Sequence, residues 1–159
     1  MITRRTLMIS TSALIAAHAM PAFADGHVVQ MYNKDPDDKK RRMIYKPIIT
    51  VVDAGTEIVF EPTDKGHNTE SIKDMIPEGA EAWKSKINKE FKLTLDAPGF
   101  YGYKCTPHFS TGMVGLIVVK GDGMMANLEA AQKVKLRGKA KKVFASIWEE
   151  AEGMGLLTA

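Results

Sequence analysis

Cysteine occurs once in this 159-residue chain, at Cys105. A single thiol cannot close an internal disulfide, so packing alone must hold the fold together. Histidine is almost as scarce, with four residues. Neither charge sign dominates: 22 basic residues face 19 acidic ones, a net charge of +3. That balance excludes nucleic-acid binding driven by bulk charge, and leaves any electrostatic role to an uneven distribution. Long apolar runs are missing too. The stretch Leu7 to Ala19 is interrupted by small hydroxyl residues and is too short for a membrane span in the mature protein. Internal repeats and low-complexity segments are absent. Hydrophobic residues at 45% and charged residues at 26% exclude wholesale disorder.

The N-terminal segment reads as an address. Arg4 and Arg5 precede the apolar stretch, and Ala22-Phe23-Ala24 supplies a small-x-small cleavage pattern. Cleavage is expected after Ala24, with a site after Ala19 as the alternative. Thr3-Arg4-Arg5-Thr6-Leu7 has a twin-arginine look, so general and twin-arginine export both stay open. Removal of this signal peptide, residues 1–24, leaves 20 basic and 19 acidic side chains. The export signal also sharpens the question of Cys105. In an oxidising compartment a free thiol is either inert in the core or ligates a metal.

Residues 25–123 have a β pattern. Val28 to Tyr32, Pro47 to Val52, Thr56 to Phe60, Phe91 to Leu95, Phe100 to Cys105 and Val114 to Lys120 read as strands, separated by turn signals such as Asp53-Ala54-Gly55 and Ala97-Pro98-Gly99. A mainly β, Greek-key sandwich is expected. Lys34 to Arg42 reads as an exposed, charge-rich loop. Pro77 to Glu81 reads as a turn with a helical turn under the sheet. Residues 124–159 read as two helices: one capped by Asn127 and running to about Val134, the other from Lys139 to Glu152. Val143, Phe144, Ile147, Trp148 and Ala151 share one face of the second, which is expected to pack on the sandwich.

Chemistry concentrates in Tyr103 to Met113. Cys105, His108 and Met113 form C-x2-H-x4-M between two strands. Thiolate, imidazole and thioether are a soft donor set that favours copper over calcium, magnesium or manganese. A trigonal plane of one cysteine and two histidines, with a long axial methionine, needs one more histidine. His27 lies near the expected mature N-terminus, where the chain is expected to fray. His67, just beyond the strand that ends near Phe60, is the natural choice. Asn68 and Thr106 each follow a ligand and can hydrogen-bond across the gap, while Pro107 stiffens the loop and offers no N–H. A site held between the preferences of both copper oxidation states suits electron transfer.

These residues resemble the cupredoxins, and among them the pseudoazurins. The resemblance spans almost all of the mature chain and rests on Met31-Tyr32-Asn33-Lys34, Asp64-Lys65-Gly66-His67-Asn68, Glu70 to Ala80 and Lys104-Cys105-Thr106-Pro107-His108. It implies one copper per chain, ligated by His67, Cys105, His108 and Met113, with the His108 edge at the surface in an apolar patch. It places Met43 against that imidazole. Around the patch it places a ring of docking lysines, Lys34, Lys65, Lys84 and Lys104, with Lys73 and Lys86 nearby. It also implies a monomeric periplasmic electron carrier, not an enzyme, that binds no nucleic acid and, once mature, no membrane. Its partners would be redox proteins such as nitrite reductase and a cytochrome c donor. Two features depart from the family: the insert Asp35 to Arg42 is longer and more charged, and Phe109 stands where a tyrosine is usual.

Two other readings compete. A copper-delivery protein would present exposed, exchangeable ligands, often in Met- or His-rich clusters. A cysteine-nucleophile enzyme using Cys105 would leave Met113 without a purpose.

Overall fold

The computed structural model describes residues 27–158. The expected signal peptide and its cleavage site lie outside them.

Among the described residues, eight strands form two four-stranded sheets. In chain order they are β1 (His27–Lys34), β2 (Arg42–Lys46), β3 (Ile49–Asp53), β4 (Glu57–Glu61), β5 (Glu70–Ser71), β6 (Phe91–Thr94), β7 (Gly99–Lys104) and β8 (Val114–Lys120). One sheet has the order β2-β1-β4-β6 and the other β3-β8-β7-β5. β1 pairs in parallel with β4, and β3 with β8; the remaining pairs are antiparallel.

Side-chain alternation explains the layering. On β7, Tyr101 and Tyr103 point between the sheets, whereas Phe100 points out toward the helices. On β8, Ile117 and Val119 face inward and Leu116 and Val118 outward. Both faces of this strand are buried, so it reads as one continuous apolar run. The outer layer is α1 (Leu128–Lys133) and α2 (Gly138–Gly153). Phe144, Ile147 and Ala151 of α2 are buried against the outer face of the second sheet. This is the mainly β sandwich with two C-terminal helices that the sequence pattern predicts. No helix among the described residues is long and apolar enough to cross a membrane.

Several local expectations are corrected. The loop expected over Lys34 to Arg42 loses both ends to strands: Lys34 closes β1 and Arg42 opens β2, which pairs with β1 through Met31–Tyr45 and Lys34–Arg42. Within the insert Asp35 is buried, with ion pairs to Arg41 at 3.3 Å and Lys46 at 3.4 Å. The Asp37 backbone N–H, then Lys46, hold its carboxyl below the usual range against the opposing effect of burial. Pro77 to Glu81 makes a turn closed by Ala80 N–H to Pro77 O, with no helical turn. Asn127 does not cap α1 with its side chain. Its amide instead accepts from the Phe100 N–H at 2.9 Å and donates to the Phe100 carbonyl at 2.8 Å, tying the helical layer to β7. His27 is not frayed: it opens β1, opposite Ile58.

Candidate metal centre

Two loops at one end of the sandwich build the centre. The first follows β4. The Asp64 N–H donates to the Met31 carbonyl, and the Asp64 carboxylate accepts from the Asn33 N–H at 2.7 Å. The Gly66 N–H donates to the Asn88 side chain at 2.6 Å, and the Asn88 N–H returns to the His67 carbonyl. Gly66 has φ +98°, a left-handed conformation that favours glycine, and it lies against the His108 ring. His67 is thereby held fully buried.

The second loop leaves β7 at Lys104 and re-enters the sheet at Val114. The Cys105 N–H donates to the Met113 carbonyl at 3.0 Å, which draws the two ends of the loop together. Between them Phe109–Thr111 form one 3-10 turn. Thr111 and Met113 both return N–H groups to the His108 carbonyl. Gly112 ends the turn with φ +90° and packs beneath Lys139 and Val143 of α2, so that a Cβ there would lie 3.2 and 3.1 Å from their side chains.

Among the described residues, His67, Cys105 and His108 are the group of His, Cys, Asp and Glu side chains placed to hold a metal ion. Cys105 Sγ lies 3.8 Å from His67 Nδ1 and 3.6 Å from His108 Nδ1, and the two nitrogens are 3.2 Å apart. A point equidistant from those three atoms is about 2 Å from each, the length of an ordinary metal–imidazole bond and slightly under a metal–thiolate bond. Met113 is fully buried in the same inner cluster as Cys105, and Met43 packs on that cluster from β2. His27 is exposed and not part of the group.

Protonation favours ligation. Burial, then the neighbouring His108, lowers the His67 pKa to about 4, with Asp64 opposing. The imidazole is therefore neutral near pH 7, and one ring nitrogen keeps its lone pair. His67 Nε2 is buried with no hydrogen-bond partner among the described residues, so Nδ1 is the nitrogen aimed at the gap between the ligands. Burial pushes the Cys105 thiol up, while the backbone N–H groups of Asn68 and His108 favour the thiolate. A bound cation adds to that preference.

Asn68 and Thr106 do clasp the loops together. The Asn68 amide donates to Thr106 Oγ1 at 3.0 Å and accepts from the Thr106 N–H at 2.8 Å. Pro107 is exposed beside them. Thr106 also donates to Glu70 at 2.5 Å. Glu70, to which the sequence pattern assigns no role of its own, pairs with Lys84 at 3.3 Å and Lys104 at 3.8 Å. Burial alone would raise its carboxyl, but Thr106 and the two lysines outweigh burial and hold it low. Two of the four expected docking lysines thus share one carboxylate, while Lys34 and Lys65 are exposed without an ion-pair partner among the described residues. Lys104 also stands 5.1 Å over the Phe109 ring. His108 is partly exposed, unlike fully buried His67.

Known proteins agree with this architecture. Residues 32–120 match the family of copper binding proteins of the plastocyanin/azurin type. The chain is 46% identical to a pseudoazurin of Paracoccus pantotrophus over 84% of its own length and 88% of the relative's. It is 42% identical to a pseudoazurin of Methylorubrum extorquens over 85% and 88% of the two chains. A Sinorhizobium pseudoazurin structure superposes with a TM-score of 0.74 at 42% identity, covering 80% of this chain and 96% of that one. The Methylobacterium extorquens pseudoazurin structure gives 0.72 at 39% identity, covering 79% and 98%. A two-sheet sandwich with a cluster of one cysteine and two histidines, and two relatives above 40% identity over more than four-fifths of both chains, lead to one assignment: this chain belongs to the plastocyanin/azurin family of copper-binding proteins, and within it to the pseudoazurins.

Proposed function

We propose that this chain is a periplasmic carrier of single electrons, exported with residues 1–24 removed, whose one copper ion is ligated by His67, Cys105, His108 and Met113. The observation that carries this reading is the triangle of two Nδ1 atoms and one Sγ, with sides of 3.2 to 3.8 Å. Copper, when bound, supplies a one-electron couple between two oxidation states. The protein's part is to hold the donors still. Hydrogen bonds at Asn88, Met113 and His108 fix the three ligand-bearing backbones, so little needs to move when charge changes. Met113 contributes a weak thioether from the same loop. Partly exposed His108 offers the short way out for an electron. Buried His67 and Cys105 suit retention of the metal, which disfavours a delivery role.

The acceptor is an acidic docking face on a redox enzyme such as a nitrite reductase, and the donor another redox protein such as a cytochrome c. Lys34, Lys65, Lys84 and Lys104 steer the encounter. Copper(II)-loaded protein should bind one ion per chain and show intense thiolate-to-copper charge transfer with a type 1 EPR signal, bleaching on reduction and returning on reoxidation. A pale, weakly absorbing adduct would overturn the reading. Replacing Lys65 and Lys104 together with alanine should slow electron delivery roughly tenfold at low ionic strength, with the difference vanishing near 1 M salt, where screening acts within about 3 Å. Stopped-flow mixing with an acidic acceptor checks this; an unchanged rate at low salt removes the steering role.

A further inference from the structure

Tyr45 lies in the middle of the inner core, 1% exposed. Its ring packs edge-on against Tyr103 at 4.7 Å and Phe60 at 6.3 Å. A phenylalanine would make the same contacts. A hydroxyl buried this deeply is costly unless it is paired, so its partner is informative. It donates to the backbone carbonyl of Asn68 at 2.6 Å.

Asn68 sits between His67 and the clasp to Thr106. Its side chain is held at three points, by Thr106 N, Thr106 Oγ1 and the Ser85 carbonyl. Asn68 follows the ligand His67 in the chain, and its clasp partner Thr106 follows Cys105. Tyr45 takes its backbone carbonyl. The register of β2 against β1, Tyr45 opposite Met31, aims the ring across the sandwich toward this loop.

We propose that Tyr45 is a positioning residue for the two metal-binding loops: by fixing the Asn68 carbonyl, its hydroxyl holds the Asn68–Thr106 clasp that joins the His67 loop to the Cys105 loop. This inference rests on Cys105 being a copper ligand. Hydrogen bonding at a cysteine ligand helps set a copper site's reduction potential. Loosening the clasp beside Cys105 changes the surroundings of the sulfur, which moves the potential and eases loss of the metal.

The test compares copper-loaded Tyr45→Phe with Tyr103→Phe. Tyr103 belongs to the same aromatic cluster, but its buried hydroxyl has no partner among the described residues, so its removal controls for a general core effect. Tyr45→Phe should keep the intense colour with a shifted charge-transfer band, show a reduction potential moved from the wild-type value, and lose copper to a chelator about tenfold faster. Tyr103→Phe should match the wild type in all three. The inference is overturned alone if wild-type colour is present and Tyr45→Phe leaves potential and copper retention unmoved, or if Tyr103→Phe moves them equally. It falls together with the ligand assignment if the wild-type protein lacks the intense colour. A second measurement needs no variant. In the reduced, diamagnetic protein the Tyr45 hydroxyl proton should exchange slowly enough to be seen by NMR; rapid exchange of that proton overturns the inference.

Discussion

Cys105→Ser removes the intense visible colour of the copper-loaded protein and weakens copper binding by at least about 100-fold. The serine oxygen nearly matches the sulfur in position, so the fold should persist and the loss is one of chemistry. A thiolate is soft, anionic and polarisable, whereas a buried serine hydroxyl stays neutral and hard. His67 and His108 remain, their Nδ1 atoms 3.2 Å apart, and two imidazoles without an anion make a weaker site. Losing an outer partner of a ligand commonly costs about 10- to 100-fold in affinity, which sets the floor for losing the ligand itself. Visible spectra and competition with a calibrated chelator give both quantities. His27→Ala is the control: that imidazole is exposed at the start of β1, and its removal should change neither. Colour surviving in Cys105→Ser, or vanishing in His27→Ala, would mean a different ligand set.

Phe144→Ala should cost about 3–5 kcal/mol, because it empties the space under a buried ring on α2. Phe144 is 2% exposed and lies beside Trp148, whose ring in turn meets Phe100 of β7. The cavity opens where the helical layer meets the outer face of the sheet. For a domain of this size such a loss lowers the melting temperature by about 10 °C or more. The damage also reaches the metal site, since Lys139 and Val143 on the same helix press on Gly112. Copper should therefore exchange faster in this variant at temperatures well below unfolding. Thermal unfolding of the metal-free protein measures the first effect and chelator kinetics the second. A loss under about 1 kcal/mol would show that α2 is an appendage and not part of the core.

Some of this architecture is legible in the sequence because the relevant physics is local. Val114 to Lys120 reads as a strand since both its faces are apolar, and Cys105, His108 and Met113 read as a cluster because one short loop carries them. β2 is hidden because Arg41 and Arg42 run straight into it and Met43 takes a positive φ of 53°; its alternation is too short to stand out beside so much charge. β5 has two residues and no period at all. Asn127 looks like a helix cap, but a cap depends on nearby backbone, and β7 supplies a competing pair of groups that only the tertiary fold brings close. The clasp between Asn68 and Thr106 follows from their positions beside the ligands. Glu70 and Tyr45 do not, because each acts on a loop far away in the chain that β5 and β2 bring within reach.

Gly112 ties the last helix to the reactive end of the molecule. The donors at positions 67, 105 and 108 all precede β8 in the chain, but the wall behind their loop comes from positions 139 and 143. A side chain at 112 would have to displace that wall or be displaced by it. The tail is thus the final keystone of the cradle: a chain shortened before residue 139 keeps every donor atom and loses the surface that stops the loop from springing outward.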